Sequence, residues 1–516
     1  MFESRFFFHA LLVVVLLALN ACATNPVTGT KELAFVSESQ EIALGEKGYR
    51  PAQQTQGGTY VVDPELTAYV ARVGKKLAQV SDRPNLPYEF VVLNNSVPNA
   101  WAMPGGKIAV NRGLLLELNS EAELAAVLGH EIVHAAARHG AKGIERQTLL
   151  KAGVAAAGIA ASNSDYGPLL AGAAGLGANL INQKYGRDQE SESDFYGMRY
   201  MSRAGYDPKA AIALQETFVR LSEGKNTSWL EGLFASHPPS RERVEANRKT
   251  AAELPPGGVL AEADYRRGTK HIRETAVAYN YLDEGREALE KGDSAQALAL
   301  ADKALAIEPR EATFLALKAD ALSARGDDRA ALQVYEQAAA LNGEYYAIAL
   351  GKGETERRLG LAERSRESLE RANALLPTAQ GMFGMGELAL QAGNEKTATD
   401  YFRQAAQGEG GAGKAAGIRL ARLDLPGNPG NYIKVSPVAD GGRVVARIRN
   451  DAAVAVKEVV VELALVGQGS KVLASDRLGI RGPIAPGASV ALPTRLVLPA
   501  APAEARYRVV AAKIAE

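Results

Sequence analysis

Ser120-Glu121-Ala122-Glu123-Leu124-Ala125-Ala126-Val127-Leu128-Gly129-His130-Glu131-Ile132-Val133-His134-Ala135-Ala136-Ala137-Arg138-His139 reads as a buried helix, and the rest of the chain is read outward from it. Ser120 with Glu123 three positions later is a capping-box start. Leu124, Val127, Leu128, Ile132 and Ala135 then recur at helical spacing, which predicts a helix over Leu118 to Arg138. His130 and His134 are four apart, so both imidazoles leave one face about one turn apart, close enough to share a metal ion. Glu131 stands beside the first imidazole and can reach water at that ion without being a ligand. The alternative is a helix with two solvent-facing histidines, and it fits poorly with neighbours that are Leu, Gly, Ile, Val and Ala.

His-Glu-x-x-His is the arrangement of zinc peptidases. A catalytic zinc takes a third protein ligand and keeps one position open. Glu190 is the candidate, in Tyr185-Gly186-Arg187-Asp188-Gln189-Glu190-Ser191-Glu192-Ser193-Asp194. Glu190 and Asp194 are four apart on a predicted helix, so the first can bind metal while the second accepts a hydrogen bond from a ligand histidine. Glu192 falls on the other side of that helix and is the runner-up ligand. The expected cofactor is therefore one Zn2+ per chain, held by His130, His134 and Glu190. In the reaction expected of such a site, Glu131 takes a proton from water and passes it to the leaving amine.

The 516 residues carry 59 Lys+Arg and 59 Asp+Glu, with no basic surplus or run that would mark a nucleic-acid binder. At this length the chain should hold two to four domains. Phe6 to Leu19 is apolar except for His9 and ends in Leu19-Asn20-Ala21-Cys22. That pattern predicts a secretory signal over residues 1–21, too short to span a bilayer comfortably. Cys22, the only cysteine, stands where a lipobox places its lipidated residue; an ordinary signal with an incidental Cys is the alternative. Residues 22–58 are then a lipid-attached tether and a first helix, Glu38 to Tyr49. A second helix is predicted from Pro64 to Val80 on the spacing of Leu66, Val70, Val73 and Leu77. Strand-like runs follow at Tyr88 to Leu93 and Lys107 to Val110.

Farther along, Gly292, Gly326, Gly360 and Gly393 recur at a period of 33 or 34 residues, and Ala304, Ala338, Ala372 and Ala405 keep the same intervals. This predicts an α-helical tetratricopeptide solenoid over 270–425, with each Gly in the turn of a helix pair. Beyond Pro426-Gly427-Asn428-Pro429-Gly430 the pattern alternates at Arg443 to Asn450, Lys457 to Val466, Ser489 to Leu498 and Arg506 to Ile514. A small C-terminal β-sandwich over 431–516 is expected.

Residues from about 35 to 250 resemble the M48 family of zinc peptidases. The carriers are His130 to His134 with Arg138-His139, and Arg187, Glu190 and Asp194 in a Ser-Arg-x-x-Glu-x-x-Ala-Asp pattern that here has Gly186 and Ser193. Asn99-Ala100-Trp101-Ala102-Met103-Pro104-Gly105-Gly106 and His237-Pro238-Pro239-Ser240-Arg241-Glu242-Arg243 also match. The resemblance implies a multidomain chain whose residues 59–255 form a mostly α zincin-like (gluzincin) peptidase domain with a small β-sheet. It implies that Asn99, Ala100, Trp101 and Ala102 lie at a strand edge that binds an extended substrate by its backbone.

His237 has three readings: donor to the oxyanion, occupant of the open zinc position in a latent state, or a cap of local structure. Arg243 could serve substrate or structure. Leu149 to Ala161 and Leu169 to Ile181 are apolar segments too short to cross a bilayer, read as a lid, a surface-dipping hairpin or a buried pair. Together with the leader, the resemblance implies a bacterial periplasmic enzyme anchored to the outer membrane through Cys22. Its expected partners are unfolded or misassembled envelope proteins as substrates, outer-membrane assembly machinery through the repeats, and the membrane through the lipid, with no nucleic acid. A chaperone or assembly-factor binding module with a latent zinc site is the competing expectation.

Overall fold

The computed structural model describes residues 22–158, 185–223, 236–499 and 503–515. The expected leader, the segment Leu169 to Ile181 and the last residues of Leu149 to Ala161 lie outside them. Strands β1 (Cys22–Thr24) and β2 (Lys31–Leu33) pair antiparallel, so part of the expected tether is a folded hairpin, its turn held by Asn25 Oδ1, which accepts from the Val27 and Thr28 amides. Helix α1 (Glu38–Thr55) is capped by Ser37 and Gln40 and continues through Pro51, past the predicted end at Tyr49. Helix α2 (Pro64–Ala78) buries Leu66, Val70, Val73 and Leu77, as their spacing predicts.

Three short strands follow: β3 (Glu89–Leu93), β4 (Ala100–Met103) and β5 (Lys107–Asn111). They form one sheet in the order β3-β5-β4, with β3 parallel and β4 antiparallel to the central β5. Side chains alternate across β4: Ala100 and Ala102 join the main core, while Trp101 and Met103 join a second cluster, where Trp101 meets Tyr49 edge-on at 5.8 Å.

Helices α3 (Arg112–Glu117), α4 (Glu121–Ala136), α5 (His139–Gly158), α6 (Arg187–Arg203), α7 (Lys209–Glu223) and α8 (Arg241–Glu253) complete this region. Ser120 Oγ caps α4 by accepting from the Glu123 amide, as predicted. The reciprocal arm differs, because Glu123 Oε2 takes the Asn119 amide instead. The pairing of α4 with α6 depends on two glycines: a Cβ on Gly197 would stand 3.0 Å from His130 N, and one on Gly129 would stand 3.1 Å from Gly197 O. That close approach brings the residues of α6 level with the histidines of α4.

Two compact units divide at Ile348 and Ala349. The first unit includes α9 (Glu262–Gly268), α10 (Lys270–Glu274) and two helix pairs of the repeat, α11 (Ala276–Glu290) with α12 (Ser294–Ile307) and α13 (Ala312–Ala324) with α14 (Asp328–Leu341). A buried seam joins these pairs to the preceding region. Arg112, fully buried, lays its guanidinium 3.5 Å from the centroid of the Tyr279 ring and donates to Asn94 Oδ1 and Ser96 Oγ. Tyr279 in turn donates to Glu311 Oε2 at 2.8 Å, and the Gln54 amide bonds both Glu344 O and the Tyr346 amide.

Helix α15 (Tyr346–Arg358) straddles the division. The second unit continues with α16 (Ala362–Leu375), α17 (Ala379–Gln391), α18 (Glu395–Ala405) and α19 (Gly410–Asp424). Gly292, Gly326, Gly360 and Gly393 each sit just past the first helix of a pair with φ between 75° and 83°, a conformation that glycine adopts without a Cβ clash. Ala304, Ala338, Ala372 and Ala405 are buried. The chain then forms β6 (Ile433–Asp440), β7 (Arg443–Asn450), β8 (Val456–Val466), β9 (Val472–Ile480), β10 (Ser489–Val497) and β11 (Glu504–Ile514). Two three-stranded sheets, β10-β7-β6 and β11-β8-β9, share one core that includes Val435, Ala446 and Ile448 from the first and Val459, Val461 and Leu463 from the second. This is the expected sandwich, with β6 and β9 added to the four predicted strands. No helix among the described residues is long and apolar enough to cross a membrane.

Glu41 on α1 is fully buried and bridges two cations: it accepts from Arg83 Nη1 at 3.1 Å and from Arg138 Nε at 3.1 Å. Replacing Glu41 with Ala leaves two largely buried guanidinium groups without this acid, a loss of roughly 3–5 kcal/mol. The first thermal unfolding transition of the Glu41→Ala protein is expected to fall by several degrees; an unchanged transition overturns the assignment.

Candidate metal centre

Helix α4 presents His130 and His134 on one face, α6 brings Glu190 opposite them, and the segment leading into α8 brings His237. All four are buried, and one ligand atom from each falls in a single cluster. His130 Nε2 lies 3.0 Å from His134 Nε2 and 3.3 Å from His237 Nδ1. Glu190 Oε1 lies 3.0 Å from His237 Nδ1 and 3.4 Å from His134 Nε2. Four donors each about 2.0–2.1 Å from a central ion stand about 3.3 Å apart in a tetrahedron. The four separations given above lie close to that value, and all four donor atoms lie within 4.8 Å of one another.

The surroundings hold these donors in orientation. His130 Nδ1 lies 2.9 Å from Asp194 Oδ1, which assigns the proton to Nδ1 and leaves Nε2 as a lone pair facing the cluster. Asp194 is gripped by Arg243, whose Nε donates to Oδ2 at 2.7 Å and whose Nη2 donates to Oδ1 at 2.8 Å. Arg243 Nη1 also stands 2.9 Å from Glu190 Oε2 and donates to Pro238 O, fixing the turn that carries His237. Ser240 Oγ caps α8 on the Arg243 amide. Arg243, ambiguous in sequence, thus ties both acids of α6 to the His237 segment.

His134 is held differently. The Tyr185 ring stacks on it at 3.8 Å, and its Nδ1 lies 2.9 Å from His139 Nδ1. Glu192, the runner-up ligand, is not in the cluster; its Oε1 faces His139 Nε2 at 3.3 Å. His139 reaches this place because Arg138 between α4 and α5 has φ of 62°. For a non-glycine residue that costs about 1–3 kcal/mol. Contacts of Arg138 with Glu41 and with the Val36 carbonyl hold it there. Sequence had placed His139 only as part of a motif, since a left-handed residue at Arg138 is invisible to helical periodicity.

Burial raises the pKa of Glu131, though nearby His237 and His130 oppose the shift. For Glu190 burial acts upward, but His237 and His130 outweigh it and the carboxyl is held well below the usual range. Asp194 is lowered likewise, with Arg243 overcoming burial. Burial drives His134 well below its ordinary value, so it stays a neutral donor. His237 is raised, because Glu190 and Glu131 overcome the effect of burial. Glu131 Oε2 and His237 Nε2 have no hydrogen-bond partner among the described residues, and His237 Nε2 stands 3.6 Å from Glu131 Oε1. The neutral His134 imidazole, the ionised Glu190 carboxylate and these unpaired atoms fit a divalent metal ion.

Beside this cluster a cavity of about 40 Å³ is bordered by Glu131 and His237 and walled by Leu114, Val127, Met198, Met201, Leu214 and Phe218. Ala100 of β4 lines it as well, which places the edge strand next to the centre. Of the four residues expected at that edge, Ala100 and Ala102 face the core of α4. Trp101 faces the opposite layer, and Asn99 precedes the strand, its side-chain Oδ1 buried without a hydrogen-bond partner among the described residues.

Residues 64–251 match Peptidase family M48. The chain is 30% identical over 264 residues to a putative beta-barrel assembly-enhancing protease of Vibrio cholerae, covering 50% of this chain and 52% of that protein. It is 33% identical over 240 residues to the mitochondrial metalloendopeptidase OMA1 of Schizosaccharomyces pombe, covering 46% of this chain and 68% of that protein. The chain spans about half the length of the bacterial relatives it matches under the beta-barrel assembly-enhancing name. Among solved structures it resembles a thermophilic TPR protein of Thermus thermophilus, at 21% identity and a TM-score of 0.26, over 36% of this chain and 92% of that one. With His130, His134 and Glu190 all inside the matched residues, the chain belongs to the metallopeptidases of family M48.

Proposed function

We propose that the chain is a zinc-dependent endopeptidase, with one Zn2+ held by His130, His134 and Glu190 and with His237 in the fourth position of a latent state. The observation that carries this reading is the convergence of four buried donor atoms, all within 4.8 Å of one another, beside an unpaired Glu131 carboxylate oxygen. When bound, the ion supplies Lewis acidity, polarising the scissile carbonyl and acidifying water. Glu131, its pKa raised by burial, is the group that accepts the water proton and delivers it to the leaving amine. Asp194 keeps His130 in the tautomer that donates through Nε2, and Arg243 keeps Asp194 in place. The edge of β4 offers backbone groups to an extended peptide, and the adjoining apolar cavity suits one small aliphatic side chain next to the scissile bond.

His237 Nδ1 fills the position a substrate carbonyl needs, so release of this side chain opens the site. Glu131→Gln is expected to lose cleavage of an unfolded protein by about 10²–10⁴-fold with metal content unchanged. His237→Ala is expected to cleave several-fold faster than the unaltered protein. Undiminished cleavage by the Gln variant overturns the assignment of Glu131, and a slower Ala variant overturns the latent reading.

For the setting, we infer a periplasmic lipoprotein anchored at the outer membrane through Cys22, acting on misfolded or misassembled envelope proteins. The apolar leader ending at Cys22, the solenoid and the similarity to beta-barrel assembly-enhancing proteases support it. The closed fourth position also favours a second reading, a chaperone or assembly-factor module whose centre stays silent. Loss of the gene is expected to change the envelope proteome and raise sensitivity to large antibiotics, and the Glu131→Gln protein is expected not to restore either. Full restoration by that variant selects the chaperone.

A further inference from the structure

His134 differs from His130 in what stands behind it. Behind His130 is a carboxylate, Asp194, clamped by two bonds from Arg243. Behind His134 is a second imidazole, His139, with no solvent exposure, and behind that is Glu192, whose side chain is 22% exposed. The contacts form a line from the ligand atom outward: His134 Nδ1 to His139 Nδ1 at 2.9 Å, then His139 Nε2 to Glu192 Oε1 at 3.3 Å.

Two nitrogens 2.9 Å apart form a hydrogen bond only if one carries the proton and the other the lone pair. The Glu192 carboxylate stands 3.3 Å from His139 Nε2, an ion-pair distance outside hydrogen-bond geometry, and its negative charge favours the proton on that nitrogen, so His139 Nδ1 is left to accept. His134 Nδ1 must then be the donor, and the lone pair of His134 is confined to Nε2, the atom in the four-donor cluster. Neither residue is a ligand, and neither reaches the cavity beside Glu131. The peptide-bond chemistry described above uses neither.

We propose that His139 and Glu192 are positioning residues that act in series, Glu192 through His139, to fix the tautomer of His134 and so set the affinity of the metal centre. The proposal rests on the metal-site reading above. It gives a role to the left-handed Arg138, because a helix continuing through that residue would carry His139 away from His134.

The test is zinc affinity of the full chain, measured by competition with a chromophoric chelator, together with the melting temperature in excess chelator. His139→Leu is expected to weaken zinc about 10–100-fold. Glu192→Ala, at the edge of the structure where folding is least at risk, is expected to weaken it by a smaller factor. Glu192→Gln retains an oxygen acceptor and is expected to stay close to the unaltered protein. The double variant His139→Leu/Glu192→Ala is expected to bind zinc as His139→Leu does, since Glu192 is not a donor of the cluster and acts through His139. Equal affinity in His139→Leu and the unaltered protein overturns the proposal. So does a Glu192→Ala effect that persists undiminished in the His139→Leu background, or a loss that merely tracks a lower melting temperature in chelator. An unaltered protein that takes up no zinc overturns the metal-site reading itself, a distinct outcome.

Discussion

Charge buried without water must be compensated, and the first unit is organised around that constraint. Among the described residues, Glu131, Glu190 and Asp194 lie within the buried centre against a single guanidinium, that of Arg243. Three acids against one guanidinium leave the centre short of positive charge, which the histidines and a bound cation can supply. Burial alone would push all three acids toward their neutral forms. Asp194 and Glu190 are nevertheless held ionised by Arg243 and the histidines, while Glu131, farther from Arg243, keeps the raised pKa suited to carrying a proton. One arginine and one missing Cβ at Gly197 thus do much to divide three chemically similar acids between support, ligation and proton transfer.

Much of this was legible in the chain. Two histidines four apart among apolar neighbours, and two acids four apart on another helix, are statements about helical phase, and phase survives folding. The repeat was legible for a related reason: a glycine beyond each first helix must take positive φ, so its spacing records the turn directly. Which of the three readings of His237 holds was not legible, because it arrives from a loop whose placement depends on Arg243 spanning Pro238 and Asp194. Nor was the contact of His139 with His134, which needs a left-handed Arg138.

The strands that escaped the patterning have particular causes. In β4 only four residues separate Pro98-Asn99 from Pro104, too few for alternation to register. Strand β6 contains Pro437, and β9 exposes side chains on both faces over its first four residues, so neither reads as a half-buried strand. Helix α1 runs past its predicted end because Pro51 ends a helix by rule but not in a chain whose following turn buries Ala52, Gln53 and Gln54.

Arg112 bears on how this protein can be divided. Among the described residues its guanidinium has no carboxylate bonded to it; it is sheltered by the face of Tyr279 and by Asn94 and Ser96, so its burial is completed by a helix of the repeat. A chain cut near residue 255 would uncover that cation together with Tyr60 and the neighbouring apolar wall. The sequence boundary between peptidase and repeat is therefore not a physical seam, and evolution could exchange the later repeats far more freely than the first two.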